Sequence, residues 1–400
     1  MSLLENMIVV DVGFMVAGPC ASRILADMGA TVIKIEPPQG DVGRHLLPYG
    51  NISVMNEANN RGKKSVVCNL KTEGGRLVFQ DVVRRADIIF TNLRPAFLQE
   101  AGITWEAVHA LNPRTSLAII STFGFDDPLS GVAGGDAVAQ AESGNSFTNG
   151  EPDGAPLIAQ TAPADVAGAM YAAIAGLSAY VETQRTGVGH FIDLSLIDVY
   201  MTVDVGINPM VLASAGKFVP TRSGQFHPSF TPHGVFKGTG GYVALSGYGS
   251  GPNSMWPRVA RAIGHDELAY AEGYESDASR LLRRDEIFGL IEEWLATLDS
   301  TEAAVAILRE NGVGAAVVRS PHDAMSTERS RRRIVKRIES PSGSFDVLGM
   351  PVQISGYEPE YAAAPLIGAD TREVLRSLLG YDEQRIADLI ASGAVATAEE

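Results

Sequence analysis

The stretch MIVVDVGFMVAGPCASRILADMGATVIKIE, Met7–Glu36, decides how the chain begins to fold. Its first part, MIVVDVG (Met7–Gly13), is a short run of β-branched side chains closed by glycine, which predicts a buried strand. PCASRILADMG (Pro19–Gly29) predicts a helix, because proline is tolerated in a first turn and glycine suits the end. ATVIKIE (Ala30–Glu36) predicts a second strand. The joining segment VGFMVAGP lacks the G-x-G-x-x-G spacing that brings backbone against a pyrophosphate. VAGP is nevertheless a small-residue loop leading into a helix N-terminus. Its free N–H groups suit an anion, and its small residues equally suit a tight turn required by packing.

The same alternation continues outward. KKSVVCNLK predicts a third strand, and TEGGRLVFQDVVRRA a helix with a threonine cap and Leu77, Val78, Val82 and Val83 on its apolar side. DIIFTN (Asp87–Asn92) and TSLAIISTFG (Thr115–Gly124) predict two more strands. Strands alternating with helices imply an α/β fold whose sheet is mostly parallel and covered on both faces. After about residue 200 the pattern changes. HGVFKGTGGYVALSG (His233–Gly247) predicts a hairpin turning at Gly238–Gly241. Helical segments follow in MWPRVARAIG, RDEIFGLIEEWLATL and TEAAVAILRENG, which implies a smaller α+β domain. GSFDVLGMPVQIS returns to strand character, and TREVLRSLLG and DEQRIADLIASG predict terminal helices. The expected division is a large domain over 1–200, a linker over 201–225, a small domain over 226–325, and a return to the large domain over 326–400. Because sheet-like segments come back only after residue 340, the large domain is expected to close with both chain ends.

Composition narrows the function. The formal charge of -15, from 47 acidic and 32 basic side chains, argues against a general nucleic-acid binder. Cys20 and Cys68 are the two cysteines, with neither metal spacing nor a disulfide framework, which fits a reducing compartment and a cytoplasmic enzyme. No His pair has zinc spacing, so no metal site is expected. The start has no basic region before its apolar run and does not read as a signal peptide. The Ala-rich stretch after Asp165 contains Tyr171, Ser178, Tyr180 and Glu182, and so reads as a buried helix and not a membrane span. Two basic stretches carry open readings. NNRGKKSVVCNLK gathers Arg61, Lys63, Lys64 and Lys71, either a solvated patch or a footing for a phosphate-rich ligand; Arg94, after the fourth strand, belongs to the same idea. ERSRRRIVKR (Glu328–Arg337) reads as a solvated edge in preference to a phosphate site.

One carboxylate stands apart. In QTAPADVAGAMYAAIAGLSAYVE, Asp165 lies where a Pro-Ala turn opens into a long apolar helix. As a cap it would accept backbone N–H bonds, which would lower its pKa and keep it ionised. As a nucleophile it would attack an activated acyl group. Gly134, Gly135, Gly144 and Gly168 would let an acyl chain and backbone donors approach. GxSxG is missing and no Ser-His-Asp order stands out, so a hydrolase reading is weak.

Taken in order, AGP, GATVIKIEPPQGD, NRGKKSVVCNLKTEGG, ADIIFTNLRP, LNPRTSLAIISTFG, GGDAVAQAESG, PADVAGAMYAAIAGLSAYVETQRTGVGHFIDLSLIDV and APLIGADTREVL resemble the class III CoA-transferases, the CaiB/BaiF-like family of formyl-CoA:oxalate and carnitine CoA-transferases. The resemblance implies a Rossmann-like large domain built from both chain ends, a small domain between them, and an interlocked homodimer of two subunits threaded as linked rings. It implies acyl-CoA and an organic acid as substrates, with no permanently bound cofactor. Asp165 matches the family's nucleophile. Val16 and Ala17, Asn69–Thr72 with Lys71, Asn92–Arg94, and Phe123–Phe125 match walls of the CoA site; the backbone N–H groups near Gly134 and Gly135 are, apart from the resemblance, candidates for the developing oxyanions. Related α-methylacyl-CoA racemases carry a histidine where this chain has Gly135, and glycine supplies no base, so that alternative recedes. A CoA-binding but inert partner subunit of a heteromeric transferase is the other alternative; the presence of Asp165 favours catalysis. Val16 stands where the oxalate enzyme has glutamine, and the oxalate enzyme's tetraglycine run is missing, which favours a medium or branched organic acid over oxalate. Glu100 sits where family members often carry arginine, and the Gly/Ser stretch 247–256 is a candidate cover for the site.

Overall fold

The computed structural model describes residues 2–251, 254–340 and 343–398. The chain divides into two compact units, one of Met1–Asn145, Ile158–Ala215 and Glu328–Glu400, the other of Ser146–Leu157 and Gly216–Thr327.

The first unit is organised by one sheet. Its strands are β1 (Ile8–Asp11), β2 (Thr31–Glu36), β3 (Lys64–Cys68), β4 (Ile88–Thr91), β5 (Ser116–Ser121) and β6 (Phe191–Ser195). They run in the order β3-β2-β1-β4-β5-β6, all parallel, with the sequence reversing direction between β1 and β4. That reversal opens a crevice at the carboxyl ends of the strands, where open α/β sheets hold ligands. Successive side chains alternate between two cores. Val10, Ile33, Ile35 and Val66 pack on one face with Val78, Phe79 and Val82 of helix α2 (Glu73–Val83). Val9, Val32, Ile88 and Phe90 pack on the other with helix α1 (Ala17–Ala26) and the long helix α5 (Pro163–Thr186), counted after α3 (Pro95–Ala101) and α4 (Asp136–Glu142). Leu77 does not join the apolar face expected for α2; it is 52% exposed, and Phe79 takes the buried place.

Helix α5 reaches the sheet because its inner stripe is small: Ala164, Gly168, Ala169, Ala172, Ala173 and Gly176 are buried. A β-carbon at Gly176 would lie 2.7 Å from Ile88 and Phe90 side-chain atoms, so any larger residue there would push the helix outward. By length and composition α5 is also the one helix among the described residues apolar enough to cross a membrane. Helix α6 (Leu196–Val203) follows β6 directly, capped by Ser195.

The second unit has a three-stranded antiparallel sheet of β7 (His233–Gly238), β8 (Gly241–Ser246) and β9 (Gly314–Val317), with β8 central. The β7–β8 hairpin turns at the expected glycines. Trp256, Phe236, Ile287 and Leu308 form its core with α7 (Trp256–Ala262), α8 (Arg284–Ala296) and α9 (Thr301–Glu310). The segment 146–157, read from sequence as part of the large domain, belongs to this unit: Gly224 N–H donates to Gly150 O at 3.0 Å and Arg222 Nε to Glu151 O at 3.1 Å. Of the stretch 247–256, residues 252 and 253 lie outside the described residues. Gly249 N–H donates to Asp277 and Gly251 N–H to Glu275 O, both within this unit.

Back in the first unit, GSFDVLG forms β11 (Gly343–Leu348), which pairs with β10 (Val335–Ser340) as a separate hairpin and does not enter the large sheet. After α10 (Thr371–Ser377) and α11 (Glu383–Ala391), the last strand, β12 (Val395–Ala396), pairs antiparallel with β3. Residues 201–215, expected as linker, fall in this unit and include a helix over Ile207–Ala213.

Candidate active site

The turn from β1 into α1 is held by side chains, since Val16 at the N-cap provides no side-chain cap of its own. Gly13 N–H donates to Asp11 Oδ1 (2.8 Å). Phe14 N–H donates to Asn92 Oδ1 (2.9 Å), and Asn92 Nδ2 donates back to Phe14 O (3.0 Å). Asn92 thus clamps the turn as a neighbouring strand would. Beside the turn lies a cavity of about 470 Å³ at the carboxyl edge of the sheet. Val12–Phe14 line one side, Ile35–Val42 another, and Cys68–Lys71 with Leu93 and Phe97 the rest.

Of the basic cluster 61–71, Lys71 alone lines this cavity, with its side chain exposed. The other three are structural, which corrects the phosphate-footing reading. Arg61 Nη2 donates to Asp27 Oδ2 at 2.6 Å in a buried pair. Lys63 is fully buried and donates to Asp11 Oδ2 (2.7 Å), Pro19 O (2.8 Å) and Asn60 Oδ1 (2.9 Å). Lys64 pairs with Glu373. Burial pushes the Lys63 ammonium down to about 8 although Asp11 opposes it. Burial alone would raise Asp11; Lys34 and Lys63 outweigh it and hold that carboxyl far below the usual range. In the run 328–337, Arg331 and Arg337 pair with Asp346 at the surface, as a solvated edge would.

Val16, Ala17, Asn92, Arg94, Phe125, Gly134 and Gly135 are not among the residues lining the cavity. Ala17 starts α1 and shares a core with Ala139 of α4 and Ala164 of α5. Arg94 is the exposed N-cap of α3, with no partner for its guanidinium among the described residues. Phe125 meets Phe191 edge-on at 5.5 Å, and its N–H donates to Asp193 (2.8 Å). Gly134 lies so close to Thr122 that a β-carbon would be 2.3 Å from Oγ1. Gly135 has φ 142°, a backbone region that favours glycine, and a β-carbon there would meet nothing within 4 Å.

Gly134 and Gly135 lead into Asp136, the first residue of α4, and Asp136 reaches Asp165. Its Oδ1 accepts the N–H groups of Ala164 (2.8 Å) and Asp165 (3.3 Å). Gln140 Nε2 donates both to Asp136 Oδ2 and to Ala159 O, and Gln140 Oε1 accepts Ala159 N–H. The carboxylate that caps α5 is therefore Asp136. Asp165 occupies the first turn, after a left-handed residue at Ala162 (φ 49°), and no hydrogen bond to its carboxylate is found among the described residues. This reverses the expected effect of capping: burial pushes the Asp165 carboxyl up to about 6, and the Asp136 charge adds to the rise. Burial and then the same Asp136 charge also raise the Tyr200 hydroxyl. At neutral pH Asp165 is mostly ionised, half-buried and unsolvated by donors, which is the state of a carboxylate able to attack an electrophilic carbonyl. Asp136 and Gln140 were missed from sequence, although the pair of glycines before Asp136 marks a backbone built for close approach.

The sequence profile of CoA-transferase family III matches residues 4–371. The chain is 31% identical to the acetyl-CoA:oxalate CoA-transferase of Acetobacter aceti over 359 residues, covering 88% of this chain and 90% of that enzyme. It is 32% identical to the succinate–glutarate CoA-transferase of Agrobacterium fabrum over 299 residues, covering 72% and 73%. A crystal structure of a CaiB/BaiF family protein from Brucella suis superposes with a TM-score of 0.82 at 28% identity, covering 94% of this chain and 99% of that one. The chain belongs to CoA-transferase family III and is an enzyme of that class.

Proposed function

We propose that the enzyme moves CoA from an acyl-CoA donor to a carboxylic acid through Asp165. The observation that carries this reading is the Asp165 carboxylate itself: half-buried, without a hydrogen-bond donor, and flanked by Gly134 and Gly135 through Asp136. A carboxylate oxygen of Asp165 attacks the donor thioester carbonyl, the C–S bond breaks, and CoA leaves as thiolate from a mixed anhydride. The thiolate attacks the aspartyl carbonyl, the anhydride C–O bond breaks, and the donor acid departs as carboxylate. The acceptor carboxylate then attacks the aspartyl-CoA thioester and the same two steps run in reverse, restoring Asp165. One negative charge is carried throughout and no proton is consumed. Backbone N–H groups near Gly134–Gly135 are assigned to the developing oxyanions. Both activated species hydrolyse readily, so the site must exclude water.

The nucleotide end of CoA is assigned to the cavity beside the β1–α1 turn, with Lys71 and Arg94 offering charge to phosphates. The first unit is the CoA-binding domain in this reading, and the enzyme is cytoplasmic. Gly135 supplies no base, which argues against racemisation; Val16 supplies no donor and the tetraglycine run is missing, so in this reading the acceptor is a medium or branched organic acid and not oxalate, and the succinate and glutarate named for the Agrobacterium relative are larger than oxalate. Incubation with succinyl-CoA is expected to attach CoA to the protein in a form that hydroxylamine releases. Because the nucleophile is the ionised carboxyl, the rate of that attachment should be flat above about pH 7. Below about 6 it should approach a tenfold loss per pH unit. A rate independent of pH between 5 and 7 would argue against Asp165 as the attacking group.

The subunit is proposed to act as an interlocked homodimer. Met170, Ile174 and Val181 of α5 are 50%, 61% and 68% exposed, an apolar stripe that a partner would cover. The mass in solution should be twice 42.4 kDa and should not fall on dilution. A monomer with full exchange activity would refute this assembly and leave the chemistry untouched.

A further inference from the structure

The turn Gly13–Met15 is more heavily tied down than its length requires. Met15 has φ 59°, a left-handed conformation unusual for a residue with a β-carbon. Its N–H donates to Asp41 Oδ1 (3.0 Å), which also accepts Gly43 N–H (2.8 Å). The other oxygen, Asp41 Oδ2, lies 2.9 Å from Lys34 Nζ, and Lys34 Nζ donates to Gly13 O (3.0 Å). Both side chains are almost completely buried. Lys34 comes from β2, on the face of the sheet that carries Val32, and its second neighbour is Asp11 at 3.6 Å. Burying such charges is costly, and apolar replacements of similar volume often match them in stability, so stability alone gives little reason for the pair. Geometry gives one. Gly13 and Phe14 form one wall of the cavity at the sheet edge, Asp41 and Val42 another, and the Lys34–Asp41 pair is bonded to both.

We infer that Lys34 and Asp41 are positioning residues for the CoA-binding turn: they fix the separation of the two cavity walls and hold Met15 left-handed, so that Gly13 and Phe14 keep their place in the wall. The inference rests on the assignment of this cavity to CoA. The energy at stake is the strain of a left-handed non-glycine residue, which sets the size and the specificity of the test. Free CoA is the probe, titrated calorimetrically into the full-length protein. Asp41→Ala should weaken CoA binding about tenfold, and Met15→Val, whose branched side chain resists the left-handed region, should do the same with Asp41 intact. Met15→Gly should bind within about threefold of the unaltered protein, because glycine adopts the left-handed conformation without strain. In Asp41→Ala, adding Met15→Gly should recover part of the loss. With succinyl-CoA at saturation, the limiting rate of adduct formation should stay within about threefold while the half-saturating concentration rises, because the tie acts on binding and not on Asp165.

Hydrogen exchange of the Phe14 and Met15 amides reads the tie without any ligand: Asp41→Ala and Met15→Val should deprotect them while β2 stays protected. If Asp41→Ala does not fold, the Met15 pair decides. CoA binding within twofold of the unaltered protein in both Asp41→Ala and Met15→Val would overturn the inference. Failure of the unaltered protein to bind CoA would overturn the assignment of the cavity instead, and the amide protection would still decide whether the tie exists.

Discussion

Asp165→Ala protein incubated with an acyl-CoA is expected to carry no covalent CoA, and its exchange activity to fall by at least about a thousandfold. The expectation follows from the absence of a substitute. Asp136 lies beside Asp165, but its oxygens already accept from the N–H groups of Ala164 and Asp165 and from Gln140, which hold it as the cap of α5. The companion variant Asp165→Asn should be equally inactive and more stable. The Asp165 carboxyl sits at about 6 in the folded chain against 3.8 for a free aspartate, so the folded state resists its ionisation. The resulting cost is absent below the unfolded value, grows as pH rises toward 6 and is constant above; at pH 8 it is on the order of 2 kcal/mol. Melting temperatures of Asp165→Asn and the unaltered chain should therefore diverge between pH 4 and 7, with the variant higher, and converge at pH 3.5. A variant that retains hydroxylamine-sensitive CoA would remove Asp165 from its role.

The second large effect separates two lysines that look alike in the sequence. Lys63→Ala should destabilise the fold by about 3–5 kcal/mol, because it strips a buried carboxylate of its nearest partner. Asp11 would keep Lys34 at 3.6 Å and the hydroxyl of Ser22, while Pro19 O and Asn60 Oδ1 would lose their donor. Lys71→Ala removes an exposed side chain and should leave the denaturation midpoint unchanged within error. Its effect should fall on CoA, with weaker binding at low salt and a smaller difference at high salt, as screening of an exposed charge requires. Denaturation curves and CoA titrations on the two variants check both halves. Equal stability of the two would contradict the buried network around Asp11.

These lysines also mark the limit of what the sequence made legible. Periodicity was sufficient for β1 to β5, because fully buried parallel strands read as apolar runs bounded by turns. It failed at β6. FIDLS has an aspartate at its centre and runs without a break into LIDVYMTV, so a period of two passes into a period of 3.6 with no punctuation between. Charge misled in a different way. Lys63 and Arg61 find their partners at Asp11 and Asp27, more than thirty positions away, and nothing local distinguishes them from solvated Lys71. The sequence left Asp165 open as cap or nucleophile; the capping bonds belong to Asp136, which reaches them from another helix. The ordered motifs carried the family assignment, because a shared sequence of short stretches survives errors at any one of them.

The two-residue strand β12 has a consequence for how the protein is made. Asp370 and Thr371 cover the Ser65 and Val67 N–H groups of β3, but until residues 395 and 396 arrive the end of that edge at Val67 and Cys68 has no strand beside it. Asn69 N–H likewise waits for Ala394 O. On the ribosome, at roughly 5–20 residues per second, that interval lasts on the order of tens of seconds. A strand end left uncovered for that long is open to pairing with another chain, the hazard of any unprotected edge. Residues 395 and 396 close that edge only after every other strand of the large sheet has been made, so the latch protects the finished sheet and not its early intermediates.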